Sequence, residues 1–292
     1  IQAGGLIRIK GGQGVFNNNN DSAITNVIGQ DLVLEAATTS IGTAEKKFYI
    51  DLEPDATLTA RAGTDIYVVE RNGNLNIETI FAKTGGAYLE TENGSIVDAL
   101  NHDYANIVAN TLDIVAVGGG VGEVGDYLEI DLPEEGVLNV TADDTIRIAE
   151  TAGNFNFGQI QSNNGDIDLK TPQSIIISDN KTITATNGDV ILNLGDDFQI
   201  LETGEIRAKG KVTIYADEND DAGEGATIDL YGWIYANTME IYGNNDDDIF
   251  NIRKLAATTN LYARGGLDII NVGSNAPSVG GALNDIQASL TV

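Results

Sequence analysis

Apolar and polar residues alternate in short runs along the whole chain, as in LVLEA from Leu32, DIYVV from Asp65, DIVAV from Asp113, VILNL from Val190 and KVTIYA from Lys211. Alternation of period two over four to six residues, broken by Gly, Asn or Asp, predicts half-buried β-strands. Helical spacing is not sustained over ten residues anywhere, so the chain reads as all-β. The runs begin roughly eight to ten residues apart, a spacing shared by sandwiches, barrels and β-solenoids.

Internal repetition decides among these. GNNDDDIFNI, from Gly243, and RGGLDIINV, from Arg264, superpose at an interval of twenty residues: Asp248 falls over Asp268, Phe250 over Ile270, Asn251 over Asn271 and Ile252 over Val272. A longer duplication relates 31–80 to 111–160. Between 50–80 and 130–160, 11 of 31 positions are identical at a constant offset of 80, among them Ile50/Ile130, Leu58/Leu138, Ile66/Ile146, Glu70/Glu150 and Gly73/Gly153. A fixed-period repeat carrying several strands per period predicts a right-handed parallel β-helix. Roughly 27 candidate strands at three per coil give about nine coils. The twenty-residue interval is then one coil, with Gly, Asn and Asp at corners that need positive φ.

Composition narrows the partners. The 292 residues hold 44 Asp plus Glu against 16 Lys plus Arg, a formal charge of −28. Such a field repels nucleic acids and anionic membrane surfaces and favours divalent cations. Cysteine is absent, so neither disulfides nor thiolate metal sites are available. No apolar run approaches the length of a membrane span. The opening IQAGGLIRIK has neither an initiator Met nor a leader pattern, and the chain reads as one elongated segment, 1–292, of a longer repeat protein.

SIGTAEKKFYIDLEPDATLTARAGTDIYVVERNGNLNIETI, from Ser40, and GSIVDA, from Gly94, resemble repeat units of very large bacterial surface proteins of the filamentous-haemagglutinin-like adhesin type. DLYGWIYANTMEIYGNNDDDIFNI and GGLDIINVGS are similar to linked units of the same proteins, and their acidic turns resemble the repeats-in-toxin (RTX) nonapeptide. The resemblance implies a secreted or surface-anchored rod that mediates attachment. It also implies turns that bind calcium between coils. On that pattern Asp246, Asp248 and Asp268 are candidate ligands, although Arg264 stands where a glycine belongs. Independently, Asp217, Asn219 and Asp221 have the alternate spacing of a hard-cation loop, while Ala222 and Ile228 depart from an EF-hand. Calcium is thus the candidate cofactor, and solvated corner residues are the alternative reading of both sets.

Two other function classes stand beside the adhesive stalk. A polysaccharide-degrading β-helix enzyme would use paired carboxylates, but the neighbours Asp143/Asp144 and Asp196/Asp197 point to opposite faces of a strand. The sole histidine, His102 in NHDYAN, reads as a loop residue. No enzyme is expected. A carbohydrate-binding module would use the aromatic strip of Trp233 with Tyr231, Tyr235 and Tyr242. The expected partners are neighbouring repeats of the same polypeptide and a cell-surface receptor or glycan.

Overall fold

The computed structural model describes residues 1–218 and 225–292. Within these residues the regular structure is 29 strands and no helix. Strand pairing is parallel, as the sequence predicts, and the contacts separate two compact units, Ile1–Thr151 and Ala152–Val292.

In the first unit one apolar column runs Val15, Ile41, Ile66, Ala87, Leu112, Leu138, each residue paired with the next. Successive members lie 26, 25, 21, 25 and 26 residues apart, so each step is one coil of the chain. All six side chains are buried. Strands show the inward-outward alternation of a pleated wall around a core: Leu32–Ala36 and Phe48–Leu52 bury their first, third and fifth residues. The core is thus a set of ladders, each buried Leu or Ile contributing about 1.5–3 kcal/mol.

In the second unit coils carry up to three short strands, for example Ile167–Thr171, Ile175–Ile177 and Thr182–Ala185. Its columns include Phe155, Ile175, Phe198, Ile228, Phe250, Ile270. The register of the two acidic turns is the one their sequences imply, with Phe250 on Ile270, Asn251 on Asn271 and Ile252 on Val272. Asn271 donates to Asn251 Oδ1 at 2.9 Å, and Asn251 donates to Asp229 Oδ1 at 2.8 Å. A buried amide column is thereby hydrogen-bonded rung to rung, as burial requires.

Six levels in each unit exceed the nine coils expected for the whole chain. The reason is that many coils carry fewer than three strands: in the first unit single strands turn a corner and serve two sides of a coil, and late in the second unit coils carry two, as with Thr238–Tyr242 and Ile249–Ile252. Ala87–Asp98 has 12 residues and Thr111–Val121 has 11. At one such corner Gly94 packs on Gly73 so closely that an added Cβ would lie 2.0 Å from the Gly73 carbonyl oxygen.

The 80-residue duplication is structural as well as sequential. Ile50 pairs with Glu70, and Ile130 pairs with Glu150. The buried Glu70 carboxylate accepts the Leu52 amide at 3.2 Å, and Glu150 accepts the Leu132 amide at 3.3 Å. A tight turn follows the same offset, with Thr43 and Lys46 exchanging backbone hydrogen bonds in one copy and Glu123 and Asp126 in the other.

If the ladders carry the stability, Leu112→Ala, which opens a hole between Ala87 and Leu138, is expected to cost about 2–5 kcal/mol in urea denaturation. Val115→Ala, on the outward face of the same strand, is expected to cost less than about 1 kcal/mol. Equal effects would mean that the inward column is not the core.

Candidate metal centre

Three carboxylates converge in the first unit. One oxygen each of Asp98, Asp126 and Glu129 lie within 4.8 Å of one another. Each is placed by a different local device. Asp98 ends the strand Ala87–Asp98 and gathers the following loop, its oxygens accepting the Leu100 amide at 2.7 Å, the His102 amide at 3.3 Å and the Asn106 side-chain amide at 2.5 Å. Asp126 sits in the tight turn 122–127, opposite Glu123. Glu129 lies on the strand Leu128–Asp131, where its own amide donates to Asn106 Oδ1 at 3.1 Å and its carbonyl accepts the Asn106 amide at 2.9 Å. Asn106 therefore bridges two of the three acids by its backbone and side chain.

The electrostatics are those of uncompensated negative charge. Glu129 is 5 % exposed, and its Oε2 is buried without a hydrogen-bond partner. Burial first, then the Asp98 charge, pushes its carboxyl up to about 7. Asp126 is raised as well, by burial and then by Asp98 and Glu123, against a smaller opposing effect of His102. His102 lies in the loop as the sequence suggests, its ring edge-on to Tyr104 at 5.5 Å.

The candidate ligands named from the sequence are arranged otherwise. Asp248 and Asp268 occupy successive rungs, but their carboxylates accept backbone amides: Asp248 Oδ1 takes Ala226 N at 2.8 Å and Asp268 Oδ1 takes Asp248 N at 3.0 Å. Oδ1 of each thus caps a corner, while Asp248 Oδ2 is buried without a hydrogen-bond partner. Burial, then the charges of Asp268 and Asp246, raises the Asp248 carboxyl, while the Ala226 amide opposes the shift. Asp246 belongs to the same turn. Arg264 takes up the backbone conformation that glycine would supply, φ +66°, and lays its guanidinium over the Tyr242 ring at 5.2 Å. Asp217 is buried with φ +55°, and its carbonyl accepts the Asn244 side chain at 2.7 Å. Asn219 and Asp221 lie outside the described residues.

The aromatic strip forms two groups in the second unit. Tyr215, Tyr242 and Tyr262 stack on successive rungs at 4.9 and 4.7 Å. Trp233 stacks on Tyr235 at 5.8 Å, with Arg207 over Tyr235 and Arg253 over Tyr231.

Asp98, Asp126 and Glu129 escaped the sequence reading because they span 31 residues and match no ligand spacing. The signal was the duplication itself. Read at the offset that aligns the two turns, Asp126 replaces Lys46 and Glu129 replaces Tyr49. Compared with protein-family models, curated proteins and solved structures, the chain finds no match.

Buried carboxylates also give the fold a pH dependence. Glu70 is fully buried, and burial outweighs its hydrogen bonds from Asn72, Leu52 and Arg71 to raise it from 4.5 to about 7. A raised folded-state value means that its contribution is fully present below pH 4.5 and is lost as the pH rises through about 7. Relative to Glu70→Gln, the wild-type chain is expected to lose about 3 kcal/mol of unfolding free energy over that window in urea titrations. A difference that does not vary with pH would contradict this.

Proposed function

We propose that this chain is a stretch of adhesive stalk from a large secreted or cell-surface bacterial protein of the filamentous-haemagglutinin-like, RTX-like type. Its work is mechanical: to hold a stiff, negatively charged, hydrated surface between an anchor and a point of attachment. The observation that carries the reading is the open rung. Among the described residues Ile269–Val272 pairs only with Ile249–Ile252, and Ile269 and Val272 are 52 % and 41 % exposed beside Leu267 at 82 %. A parallel edge with apolar side chains showing is a template for another strand. Further coils of the same polypeptide are the partner that fits it without a change of register.

The charge of −28 supports the same reading, because like-charged surfaces repel one another and resist association. Stacked carboxylates on such a surface favour calcium as a companion ion. Among the described residues no helix is long and apolar enough to cross a membrane, and the proposal places attachment to the cell outside these coils.

A glycan-binding module is the second reading, and the tyrosine stack favours it. Tyr262 is 42 % exposed at the end of the column Tyr215, Tyr242, Tyr262, and half-exposed rings offer flat faces to sugars.

Displayed on a non-adherent bacterial host, the chain is expected to raise attachment to cells or to abiotic surfaces without releasing reducing ends from polysaccharides. Release of reducing or unsaturated ends would replace the stalk with an enzyme. Attachment abolished by one free sugar and by Tyr262→Ala would replace it with the glycan module.

A further inference from the structure

The hydrogen-bonded scaffold is shared by the two copies related by the offset of 80 and by the segments just before them, but it is built around different charges. In the first copy Asn26 exchanges hydrogen bonds with Tyr49, its amide donating to the Tyr49 carbonyl at 2.8 Å and its Oδ1 accepting the Tyr49 amide at 2.8 Å. In the second copy Asn106 makes the same pair of bonds with Glu129. Asn26 then donates to Asn17 Oδ1 at 2.9 Å, where Asn106 donates to Asp98 Oδ1. Asn17 and Asp98 in turn each accept the amide two residues on, from Asn19 and Leu100. The neighbouring turn carries Lys46 in one copy and Asp126 in the other.

The first copy is balanced from within. Its capping residue is a neutral Asn17, and the Lys46 ammonium reaches back to the loop, donating to Asn20 Oδ1 at 3.0 Å. In the second copy Asn17, Lys46 and Tyr49 have become Asp98, Asp126 and Glu129. One lysine is lost and three carboxylates are gained at corresponding places. Asp103 adds negative charge beside both Asp126 and Glu129 and Glu123 beside Asp126, with His102 as the cationic side chain that opposes them at Asp126.

We infer that the second copy binds a divalent, oxygen-preferring cation, with calcium as the fitting ion, through Asp98, Asp126 and Glu129. The cation supplies at this corner the positive charge that Lys46, bonded to Asn20 of the adjoining loop, supplies in the first copy. Two independent observations carry this: the convergence of three carboxylate oxygens within 4.8 Å, and the Glu129 Oε2, which is buried, 5 % exposed as a residue, and without a partner. A buried carboxylate oxygen with nothing to accept from is costly, and a bound cation satisfies it. The donors are all oxygen, the hard set that suits calcium, which takes six to eight ligands and tolerates irregular geometry. An Asp98 oxygen that already accepts an amide keeps a second lone pair for a metal. Water would complete the shell. The ion would tie the strand Ala87–Asp98 to the turn 122–127 and the strand Leu128–Asp131, joining neighbouring coils through their loops.

The test uses the full chain, with calcium chloride as the probe. Wild type is expected to bind calcium at this site in isothermal titration calorimetry and to melt about 5 °C higher with saturating calcium than with EGTA. Asp126→Asn, in a turn that keeps its backbone hydrogen bonds, is expected to weaken this binding at least about tenfold. Asp126→Lys, which restores the cation of the first copy, is expected to abolish it and to raise the melting temperature in EGTA above that of wild type. Asp268→Asn, in the second unit, should leave the site's affinity unchanged. Absence of calcium binding at millimolar concentration would overturn the inference. So would binding that survives both Asp126 substitutions, or an Asp126→Lys chain that is less stable than wild type in EGTA.

Discussion

The constraint on which this structure depends is that parallel coils stack in register, so a residue meets its own kind, or its functional equivalent, about 4.8 Å away on the next rung. Apolar residues profit directly, as in the columns through Leu112 and Phe250. For polar residues the same rule is demanding. A buried amide must find its bond within the column, as Asn251 does between Asp229 and Asn271. Like charges accumulate along a column unless opposite ones intervene, as Lys211 does beside Glu240 at 2.9 Å and Lys47 beside Glu90 at 2.7 Å.

Much of this was legible in the sequence because register converts directly into spacing. The interval between Asp248 and Asp268 is one coil, and the offset between Ile50 and Ile130 relates two structurally equivalent pairs, each capped by a buried glutamate. The number of coils was less legible. Counting strands presumes that each strand serves one side of a coil, whereas strands such as Ala87–Asp98 run on through a corner at which the inward-outward alternation lapses, over Glu92–Ser95. In the sequence such a run reads as two strands with a turn between them.

The acidic centre was illegible for a different reason. Metal-site patterns are local in sequence, whereas a coil brings together residues one turn apart, here Asp98 with Asp126 and Glu129. Acid-rich stretches drew attention to Asp248 and Asp268, each of which caps a backbone amide through Oδ1 at a corner, with Asp248 Oδ2 left buried and unpartnered. Charge density along the chain therefore marked corners, whether buried, as at Asp248, or partly exposed, as at Asp268. The informative quantity was the difference between duplicate copies, where Lys46 stands against Asp126. A stack of near-identical coils can acquire local chemistry by changing the charges at one corner while the ladders behind it stay intact.

Because the chain has no cysteine, in-register stacking can be read directly by cross-linking. Thr184 and Arg207 face outward on paired strands and are partners in the parallel register; Glu205, two residues earlier, pairs with Thr182. Neighbouring parallel strands bring partner Cα atoms within disulfide range, while a displacement of two residues takes them to about 8 Å, beyond it. Oxidised under mild conditions, the Thr184→Cys/Arg207→Cys chain should close a disulfide nearly completely and the Thr184→Cys/Glu205→Cys chain should not. Equal yields, or preference for the second pair, would contradict the stacked parallel coil.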